Sequence, residues 1–443
     1  NTSSSSSNIY GIYYQNGNSG DVVNINNNLI YLDASVTNQS NIYGFYGYAN
    51  PGTVTNFYYN SVYIGGSSVT YGSSCVIYGH YANPINMKNN VMYNARSNGT
   101  GTGKHYIIWK DYATWTFTSD YNDYYVSGTG GVLFNNMGVD ITTLDGWRAA
   151  FSGQDNNTLS SNPGFTSTTN LIPNTSNPNS WSLSGNGIHI GSVTTDFTGA
   201  SRPNGVINGA PDIGAYEFGT PTVDPNEITT SVSSGSNDIY VYGRKLLNLN
   251  FVTLGGIGNV GVKFFSGAEP PGATGGAKFM NGYFKITQTG GSGYKYDITY
   301  YYSETQLGTI TSEANLRLSK SDDDGAHWTV YTIPGTGDEQ YVLNTEANTI
   351  KVNGLTSFSI FANTDNDAPL PVELSSFTSS VKGRNVKLSW VTATEQNNAG
   401  FDVERKTLTS SWTKVGFLQG KGTVNTPTNY TFEDKNLNSG KYN

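Results

Sequence analysis

A short phrase that recurs at a nearly constant interval constrains the fold of this chain more than any other feature. It reads NLIYL at residues 28–32, and its successive copies, NSVYI, NVMY and NDYYV, follow at offsets of 32, 30 and 32 residues. A second phrase, IYGIY at 9–13, recurs as IYGFY at 42–46 and IYGHY at 77–81. These runs alternate with a period of two, which excludes a helical repeat. We therefore predict a right-handed parallel β-helix, a solenoid, over residues 1–218.

Strict alternation assigns the residues of the first phrase to two faces of a strand. The mostly apolar set should point into the solenoid: Ile30, Val62, Met92 and Tyr124, with Leu32, Ile64 and Val126. The intervening tyrosines should then point outward and stack at about 4.8 Å from turn to turn: Tyr31, Tyr63, Tyr93 and Tyr125. Such a column can contact sugar rings or a neighbouring subunit, or it can simply pack beneath a loop.

An asparagine opens every copy of the first phrase, and the four together are Asn28, Asn60, Asn90 and Asn122. Stacked side-chain amides at equivalent positions can donate hydrogen bonds to one another along the axis. We therefore predict that this column is a structural ladder.

The composition narrows the class of protein further. Charged residues make up 13% of the 443 residues, about half the usual share. Together with 53 Gly and 32 Tyr, this argues against a helical bundle and against a doubly wound enzyme. The net charge of −8 gives no electrostatic basis for nucleic-acid binding, and no apolar run is long enough for a transmembrane segment. The single cysteine, Cys75, excludes an intramolecular disulfide framework, and we expect it to be a small core residue.

Residues 144–218 have a distinctive ending. They contain NPGF at 162–165, Arg202-Pro203, and the closing phrase GAPDIGAYEF at 209–218. This pattern resembles the C-terminal portion of secreted bacterial parallel β-helix proteins of the pectate-lyase-like superfamily. The resemblance implies that the closing phrase finishes the last coils. It also implies that Asp212 and Glu217 are hydrogen-bonding anchors and not a catalytic pair.

Beyond the solenoid, composition changes through a Pro-, Thr- and Ser-rich stretch that we predict to be a linker at 219–236. Alternating runs with Gly-rich turns then predict a β-sandwich at 237–366. Within it, SDDDGAHW at 321–328 fits the Asp-box pattern, in which aspartates hold a hairpin turn and the Trp packs beneath it.

The last part of the chain, 370–443, opens with LPVELSSF and carries a strand with Trp390. It resembles the fibronectin type III-like module that precedes the C-terminal sorting domain in type IX secretion substrates of Bacteroidota-type bacteria. The resemblance implies an extracellular or outer-surface location and contact with the outer-membrane secretion and anchoring machinery. We expect this module to lack about two strands at its C-terminus. Open ends can belong to a segment of a longer protein, or they can pair with other copies in a fibre.

Catalytic candidates are few. The first 103 residues hold four charged side chains, and the one concentration further on includes Asp111, Asp120 and Asp123. Asp120 and Asp123, the weak candidates for an active site, are expected on opposite faces of one strand. His80 is expected in the column of Ile12 and Phe45. No pair of histidines has metal-site spacing, and for calcium no site is identifiable.

We therefore expect a fold that is all β, with a solenoid followed by two β-sandwich domains. We expect a non-enzymatic structural or adhesive protein, outside the cell or on its surface. Its expected partners are glycans or copies of itself. The alternative is a secreted polysaccharide lyase or glycoside hydrolase acting on the β-helix wall, which rests on fold resemblance.

Overall fold

A computed structural model shows a mostly β protein with 51% of its residues in strands. It describes residues 7–15, 17–33, 40–48, 52–68, 71–80, 83–203, 209–273, 276–368, 374–392, 395–407, 412–424, 427–437 and 440. Within these residues there is one α-helix, and no helix has the length and apolar character needed to cross a membrane. An N-terminal β-solenoid is followed by antiparallel sheets that are consistent with β-sandwich domains, which confirms the predicted fold class.

The solenoid makes about three turns. Its strands are β1 (Ile9–Gln15), β2 (Val22–Asn26), β3 (Leu29–Asp33), β4 (Ile42–Tyr48), β5 (Val54–Tyr58), β6 (Ser61–Gly65), β7 (Ser67–Ser68), β8 (Ser74–Gly79), β9 (Ile85–Lys88), β10 (Val91–Asn94), β11 (Ser97–Asn98), β12 (His105–Lys110), β13 (Phe117–Asp120), β14 (Asp123–Val126), β15 (Gly131–Asn136) and β16 (Val139–Ile141). Sheet A has the order β1-β4-β8-β12-β15-β16, sheet B is β2-β5-β9-β13, and sheet C is β3-β6-β10-β14. Strands pair in parallel from turn to turn, except that β16 folds back antiparallel on β15.

The register of sheet C follows the first repeated phrase. Ile30, Val62, Met92 and Tyr124 are Cα partners in succession, and all four belong to the solenoid core. The alternation of the sequence therefore predicts the inward face correctly here.

The register of sheet A differs from the one that the second phrase predicts. Phe45 pairs with Ile77, so the turn-to-turn offset is 32 residues and not 35. The predicted place of His80 in the column of Ile12 and Phe45 is therefore wrong, and Ile77 occupies it. His80 lies just beyond the end of β8, and Tyr81, the last residue of the phrase, lies outside the described residues.

A left-handed backbone residue marks the corner between sheets B and C in every turn. These residues are Asn27, Tyr59, Asn89 and Tyr121, with φ of 57°, 54°, 58° and 56°. Asparagine adopts this conformation readily, whereas for tyrosine it is strained. The corner is thus fixed by the geometry of the turn even where the side chain disfavours it.

After the solenoid strands come α1 (Leu144–Ala150), β17 (Phe165–Ser167), β18 (Asn170–Pro173) and a 3₁₀ turn (Pro178–Ser182). Thr143 caps α1, because its Oγ1 accepts a hydrogen bond from Gly146 N at 3.1 Å. Trp147 of α1 is fully buried and stacks on Phe134 at 4.3 Å between ring centroids. We call residues 159–203 and 209–218 the covering segment, because Leu159, Leu183 and Ile213 pack with Val91 on the outer face of sheet C.

Two antiparallel sheets enclose the next core. Their strands are β19 (Ile228–Ser231), β20 (Gly235–Val241), β21 (Arg244–Thr253), β22 (Asn259–Ser266), β23 (Phe279–Thr289), β24 (Lys295–Tyr301), β25 (Leu316–Ser321), β26 (Thr329–Val330), β27 (Tyr341–Asn344), β28 (Thr349–Leu355) and β29 (Ile360–Asp365), with 3₁₀ turns at Glu304–Gln306 and Glu313–Asn315. One sheet has the order β19-β22-β23-β29-β25-β26 and the other β20-β21-β24-β28-β27. β19 lies inside the stretch 219–236 that composition predicts as a linker, and it pairs with β22.

The Asp box forms the hairpin turn between β25 and β26. Ser321 Oγ accepts a hydrogen bond from Gly325 N at 2.8 Å, and Asp323 Oδ1 accepts one from His327 N at 2.9 Å. Trp328 is buried, and its indole N–H donates to Pro271 O. All of these contacts fasten the turn.

The last strands are β30 (Leu374–Lys382), β31 (Asn385–Thr392), β32 (Glu395–Arg405), β33 (Thr413–Val424) and β34 (Thr428–Asp434). They form the sheets β30-β31-β34 and β32-β33. Trp390 packs with Val403 and Tyr430 at the centre of a small core, as predicted for the module's tryptophan. Residues 370–373, with which the module was predicted to begin, lie outside the described residues.

Candidate functional site

The outer face of sheet A carries two columns of aromatic side chains that run along the solenoid axis. One column aligns Tyr10, Tyr43, Cys75 and Tyr106, and the other aligns Tyr13, Tyr46, Tyr78 and Trp109. Most of these side chains form a hydrophobic cluster that is separate from the solenoid core. We call this surface the aromatic face, defined by Tyr10, Tyr13, Tyr43, Tyr46, Tyr78, Tyr106 and Trp109.

A break in the alternation of sheet A places both columns outside. Val76 and Ile77 are adjacent, yet both belong to the solenoid core, and the same holds for Ile107 and Ile108 one turn later. The side chains on either side of such a pair, three residues apart, therefore both face outward. This explains how a phrase with tyrosines at its second and fifth positions builds two columns.

The rings of the second column stack on one another. The Tyr13 and Tyr46 ring centroids lie 5.5 Å apart at 21°, and those of Tyr46 and Tyr78 lie 5.0 Å apart at 13°. Trp109 meets Tyr78 edge-on at 85°. Because the tyrosine faces are used by the stack, the column presents ring edges and phenol hydroxyls to its surroundings.

Polar groups line these ring edges. The Tyr78 hydroxyl donates to Asp111 Oδ2 at 2.6 Å, the Tyr106 hydroxyl donates to Asp140 Oδ1 at 2.9 Å, and the Tyr13 hydroxyl donates to Gln15 Oε1 at 3.0 Å. Burial, and then the Asp111 carboxylate, raises the pKa of Tyr78. The Tyr78 phenol therefore stays protonated at neutral pH.

His80 and Cys75 belong to this surface as well. The His80 ring stacks on Tyr78 at 5.4 Å and on Tyr48 at 5.7 Å, and burial lowers the pKa of its imidazole. Cys75 is fully buried in the aromatic cluster, so it is a packed residue of the outer face and not of the solenoid core. Burial raises the pKa of its thiol well above the usual value, which leaves it unreactive.

The tyrosines predicted to form a column on sheet C contact one another in succession: Tyr31 and Tyr63 are stacked, Tyr63 and Tyr93 meet edge-on, and Tyr93 and Tyr125 are tilted. The ring centroids of Tyr31, Tyr63, Tyr93 and Tyr125 lie 5.8, 5.1 and 4.9 Å apart in succession. Tyr31 is 40% exposed, whereas Tyr63 is 5% exposed and lies on β6, beside β18. The covering segment also binds this face, because Ala215 N donates to Ser61 Oγ at 3.0 Å. The aromatic face of sheet A also varies in exposure, because Tyr43 and Tyr106 are 5% exposed whereas Tyr13 is 48% exposed.

The asparagines at the entrance to sheet C are linked along the axis. The side-chain amide of Asn28 donates to Asn60 Oδ1 at 2.8 Å, Asn60 donates to Asn90 Oδ1 at 3.0 Å, and Asn90 donates to Asn122 Oδ1 at 2.8 Å. Each Oδ1 also accepts the backbone N–H of the asparagine one turn earlier. A second series, which sequence reasoning missed, joins Asn24, Asn56 and Asn86 on sheet B at 2.8 Å.

Asp120 and Asp123 do not share a strand, so the prediction that they lie on opposite faces of one strand is wrong. Asp120 ends β13, Asp123 begins β14, and the left-handed Tyr121 lies between them. Asp120 accepts hydrogen bonds from Asn157 N and Asn157 Nδ2 at 2.6 and 2.9 Å. Asp123 is 0% exposed, and burial raises the pKa of its carboxyl to about 8. The Asp123 carboxyl is therefore shielded from a polysaccharide, whereas Asp120 is partly exposed.

The carboxyls of the closing phrase hold the covering segment in place. Asp212 accepts hydrogen bonds from Gly185 N and Phe218 N, both at 2.8 Å, and Glu217 pairs with the buried Arg202 at 3.1 Å. Arg202 also donates to Asn27 Oδ1 at 3.0 Å, and its guanidinium lies 3.8 Å from the Tyr59 ring centroid. Two of the left-handed corner residues, Asn27 and Tyr59, thus bind the covering segment through Arg202.

The aromatic face is the surface that sequence reasoning missed. The second phrase does indicate this surface, because two of its tyrosines lie three residues apart. Under strict alternation, however, that spacing predicts that they point to opposite faces of the strand. Within the described residues, no three His, Cys, Asp or Glu side chains are grouped as metal ligands would be.

No known protein family, curated protein or solved structure matches the chain. The fold and this surface therefore define a class only: a β-solenoid protein with antiparallel β-sheets C-terminal to the solenoid.

Proposed function

We propose that this chain is a non-enzymatic structural and adhesive protein, outside the cell or on its surface, and that the aromatic face contacts glycans. The observation that carries the proposal is the pair of aromatic columns with phenol hydroxyls and amide and carboxylate groups along their edges. A hydroxyl-rich chain laid along the axis would exchange hydrogen bonds with these edges in every turn. Trp109, which lies edge-on to the tyrosine stack, adds apolar contact.

The charges of this surface favour a neutral glycan over an acidic one. Asp111 and Asp140 lie at the ring edges, and Lys104 is paired with Asp140 at 3.2 Å. An acidic polymer would bring like charge to the carboxylate of Asp111.

The location outside the cell is supported by two resemblances. Residues 1–218 resemble secreted pectate-lyase-like β-helix proteins, and residues 370–443 resemble the module that precedes the sorting domain of type IX secretion substrates. In this proposal the sandwich modules are spacers between the solenoid and the anchoring machinery of the outer membrane.

Binding of the full chain to immobilised neutral and acidic polysaccharides tests the proposal. We expect wild type to bind a neutral polymer, and Tyr13→Ala with Trp109→Ala to weaken binding at least about tenfold. Tyr240→Ala, an exposed tyrosine of the first sandwich, is the control and should bind as wild type. Equal binding by all three chains would refute a role for the aromatic face.

Analysis of the same polysaccharides for cleavage products decides between adhesion and catalysis. Release of unsaturated or reducing ends that Asp120→Asn or Asp123→Asn abolishes would show a polysaccharide lyase or glycoside hydrolase instead. Sedimentation of the protein alone tests the remaining partner, a second copy of this chain. Concentration-dependent assembly without glycan binding would favour the fibre.

A further inference from the structure

A charged side chain lies inside the solenoid at the corner that follows sheet C. Arg96 lies two residues beyond the end of β10, and it is 0% exposed. In the preceding turn Gly66 takes the equivalent position, because Ser67 pairs with Ser97. The guanidinium is therefore a feature of this one turn and not of the repeat.

The surroundings of Arg96 are polar and uncharged. Ser74 Oγ and His105 Nδ1 lie 3.0 Å apart, and His105 Nε2 lies 3.0 Å from Asn98 Oδ1. Asn94 donates to Ser74 Oγ at 2.9 Å. Burial, and then the charge of Arg96, lowers the pKa of His105 to about 4, so the imidazole is neutral at neutral pH.

Arg96 has far fewer partners than the other buried arginine of this region. Its Nη1 donates to Ser73 O at 3.1 Å, while Nε and Nη2 are buried without an acceptor among the described residues. Arg202, by contrast, has the Glu217 carboxylate, two further acceptors and the Tyr59 ring. A buried charge without a partner costs several kcal/mol, and buried N–H groups without acceptors add to that cost.

We propose that the solenoid interior binds a small monovalent anion, of the size of chloride, at Nε and Nη2 of Arg96. The anion accepts a hydrogen bond from each of these two N–H groups and neutralises the charge of the Arg96 guanidinium. A small spherical ion fits the chemistry best, because solenoid interiors are closely packed and the neighbouring polar groups already bind each other. The site is independent of the aromatic face.

Thermal unfolding of the full chain tests this site. When sodium chloride replaces sodium gluconate at constant ionic strength, we expect the wild-type midpoint to rise by about 2–4 °C. Arg96→Met should unfold at the same temperature in both salts, since replacing a buried charge by an apolar side chain is often neutral or stabilising. Lys88→Met, a change on the outer wall of sheet B, is the control and should keep the wild-type response.

A diffraction measurement decides the question even if Arg96→Met does not fold. Crystals of wild type soaked in bromide should show an anomalous peak within hydrogen-bonding distance of Nε and Nη2 of Arg96. Bromide density absent from the interior, or the same chloride response in all three chains, would overturn the proposal.

Discussion

At the scale of single residues, a column of asparagines joins successive turns of the solenoid through side-chain hydrogen bonds. Asn90 donates to Asn122 Oδ1 and to Phe57 O, both at 2.8 Å, and its own Oδ1 accepts two hydrogen bonds from Asn60. All of these groups are buried, so a lost partner leaves unsatisfied polar atoms. The tyrosine columns, by comparison, add ring contacts outside the core.

Asn90→Ala should therefore destabilise the solenoid by about 2–4 kcal/mol, because four buried hydrogen bonds disappear together. The measurement is equilibrium unfolding in urea. Asn86→Ala is the matched control: it breaks the partly exposed series on sheet B and should cost less than about 1 kcal/mol. If both variants lost the same free energy of unfolding, the buried ladder would contribute no more to stability than the partly exposed series.

The buried Asp123 carboxyl predicts a pH dependence of stability. Because its pKa is raised by burial to about 8 in the folded chain, the folded state holds a proton that the unfolded state loses near pH 4. The contribution of Asp123 to the free energy of unfolding is therefore fully present below about pH 4. It falls as the pH rises from about 4 to about 8, and above that pH it no longer changes.

Asp123→Asn should flatten that slope and stabilise the protein at pH 8 by a few kcal/mol, on the order set by the pKa shift. The amide oxygen can still accept the hydrogen bond from Ser161 N. Urea midpoints at several pH values measure the effect. A variant with the slope of wild type would show that Asp123 is ionised in the folded chain.

At the scale of strands, the break in the alternation of sheet A determines which side chains lie on its outer face. Gly44 faces the interior there, and a Cβ atom at this position would lie 2.7 Å from Val76 O and 2.9 Å from Val62 Cγ1. Only a residue without a side chain fits between these turns.

Gly44→Ala should accordingly cost about 1–3 kcal/mol, since neither the backbone carbonyl nor the packed valine can move freely. Gly191→Ala is the control, because no heavy atom lies within 4 Å of its added Cβ, and it should change stability by less than about 0.5 kcal/mol. Calorimetric unfolding of both variants checks this. An unchanged Gly44→Ala would mean that the strands at this bend are more widely spaced.

The sequence predicts sheet C well and sheet A poorly for a physical reason. In sheet C, Ile30, Val62 and Met92 alternate strictly with tyrosines, so period and register agree. In sheet A, a true offset of 32 residues competes with a better-looking match of IYGHY at 35, and the adjacent core residues Val76 and Ile77 reset the alternation. The register of sheet A and the position of this break both depend on contacts with the neighbouring turns, which the sequence of one strand does not show.

The exposure of the sheet C tyrosines could not be predicted from the repeat for a related reason. The tyrosines of sheet C do face outward, but β18 lies beside Tyr63, and the covering segment binds Ser61. Nothing in the repeat itself encodes what a segment 100 residues later will cover. The closing phrase, in contrast, was informative: its resemblance implied anchoring roles for Asp212 and Glu217, and both carboxyls bind backbone N–H groups.

At the scale of the whole molecule, the covering segment contacts both the solenoid and the antiparallel sheets that follow. Gln306 Nε2 donates to Gly185 O at 2.9 Å and to Ser266 Oγ at 2.9 Å, and Trp181 packs edge-on against Phe265. Ser160 N donates to Tyr242 O at 2.8 Å. Buried hydrogen bonds at this junction should couple the unfolding of the two parts.

Gln306→Ala should weaken that coupling, with a loss of about 1–3 kcal/mol and a broader or divided calorimetric transition. Gln288→Ala, at an exposed position of β23, is the control and should unfold as wild type does. If both variants gave the wild-type transition, the junction would contribute nothing to cooperativity.

We propose that the aromatic face of sheet A is the surface that contacts a ligand. Hydroxyl-radical footprinting of the full chain, with and without the neutral polysaccharide that binds it, tests this most directly. We expect protection at Tyr13, Tyr46, Tyr78 and Trp109, with unchanged labelling of Tyr31 on sheet C and of Tyr240 in the first sandwich. Protection at Tyr31 or Tyr240, with the aromatic face labelled as in the free protein, would contradict it.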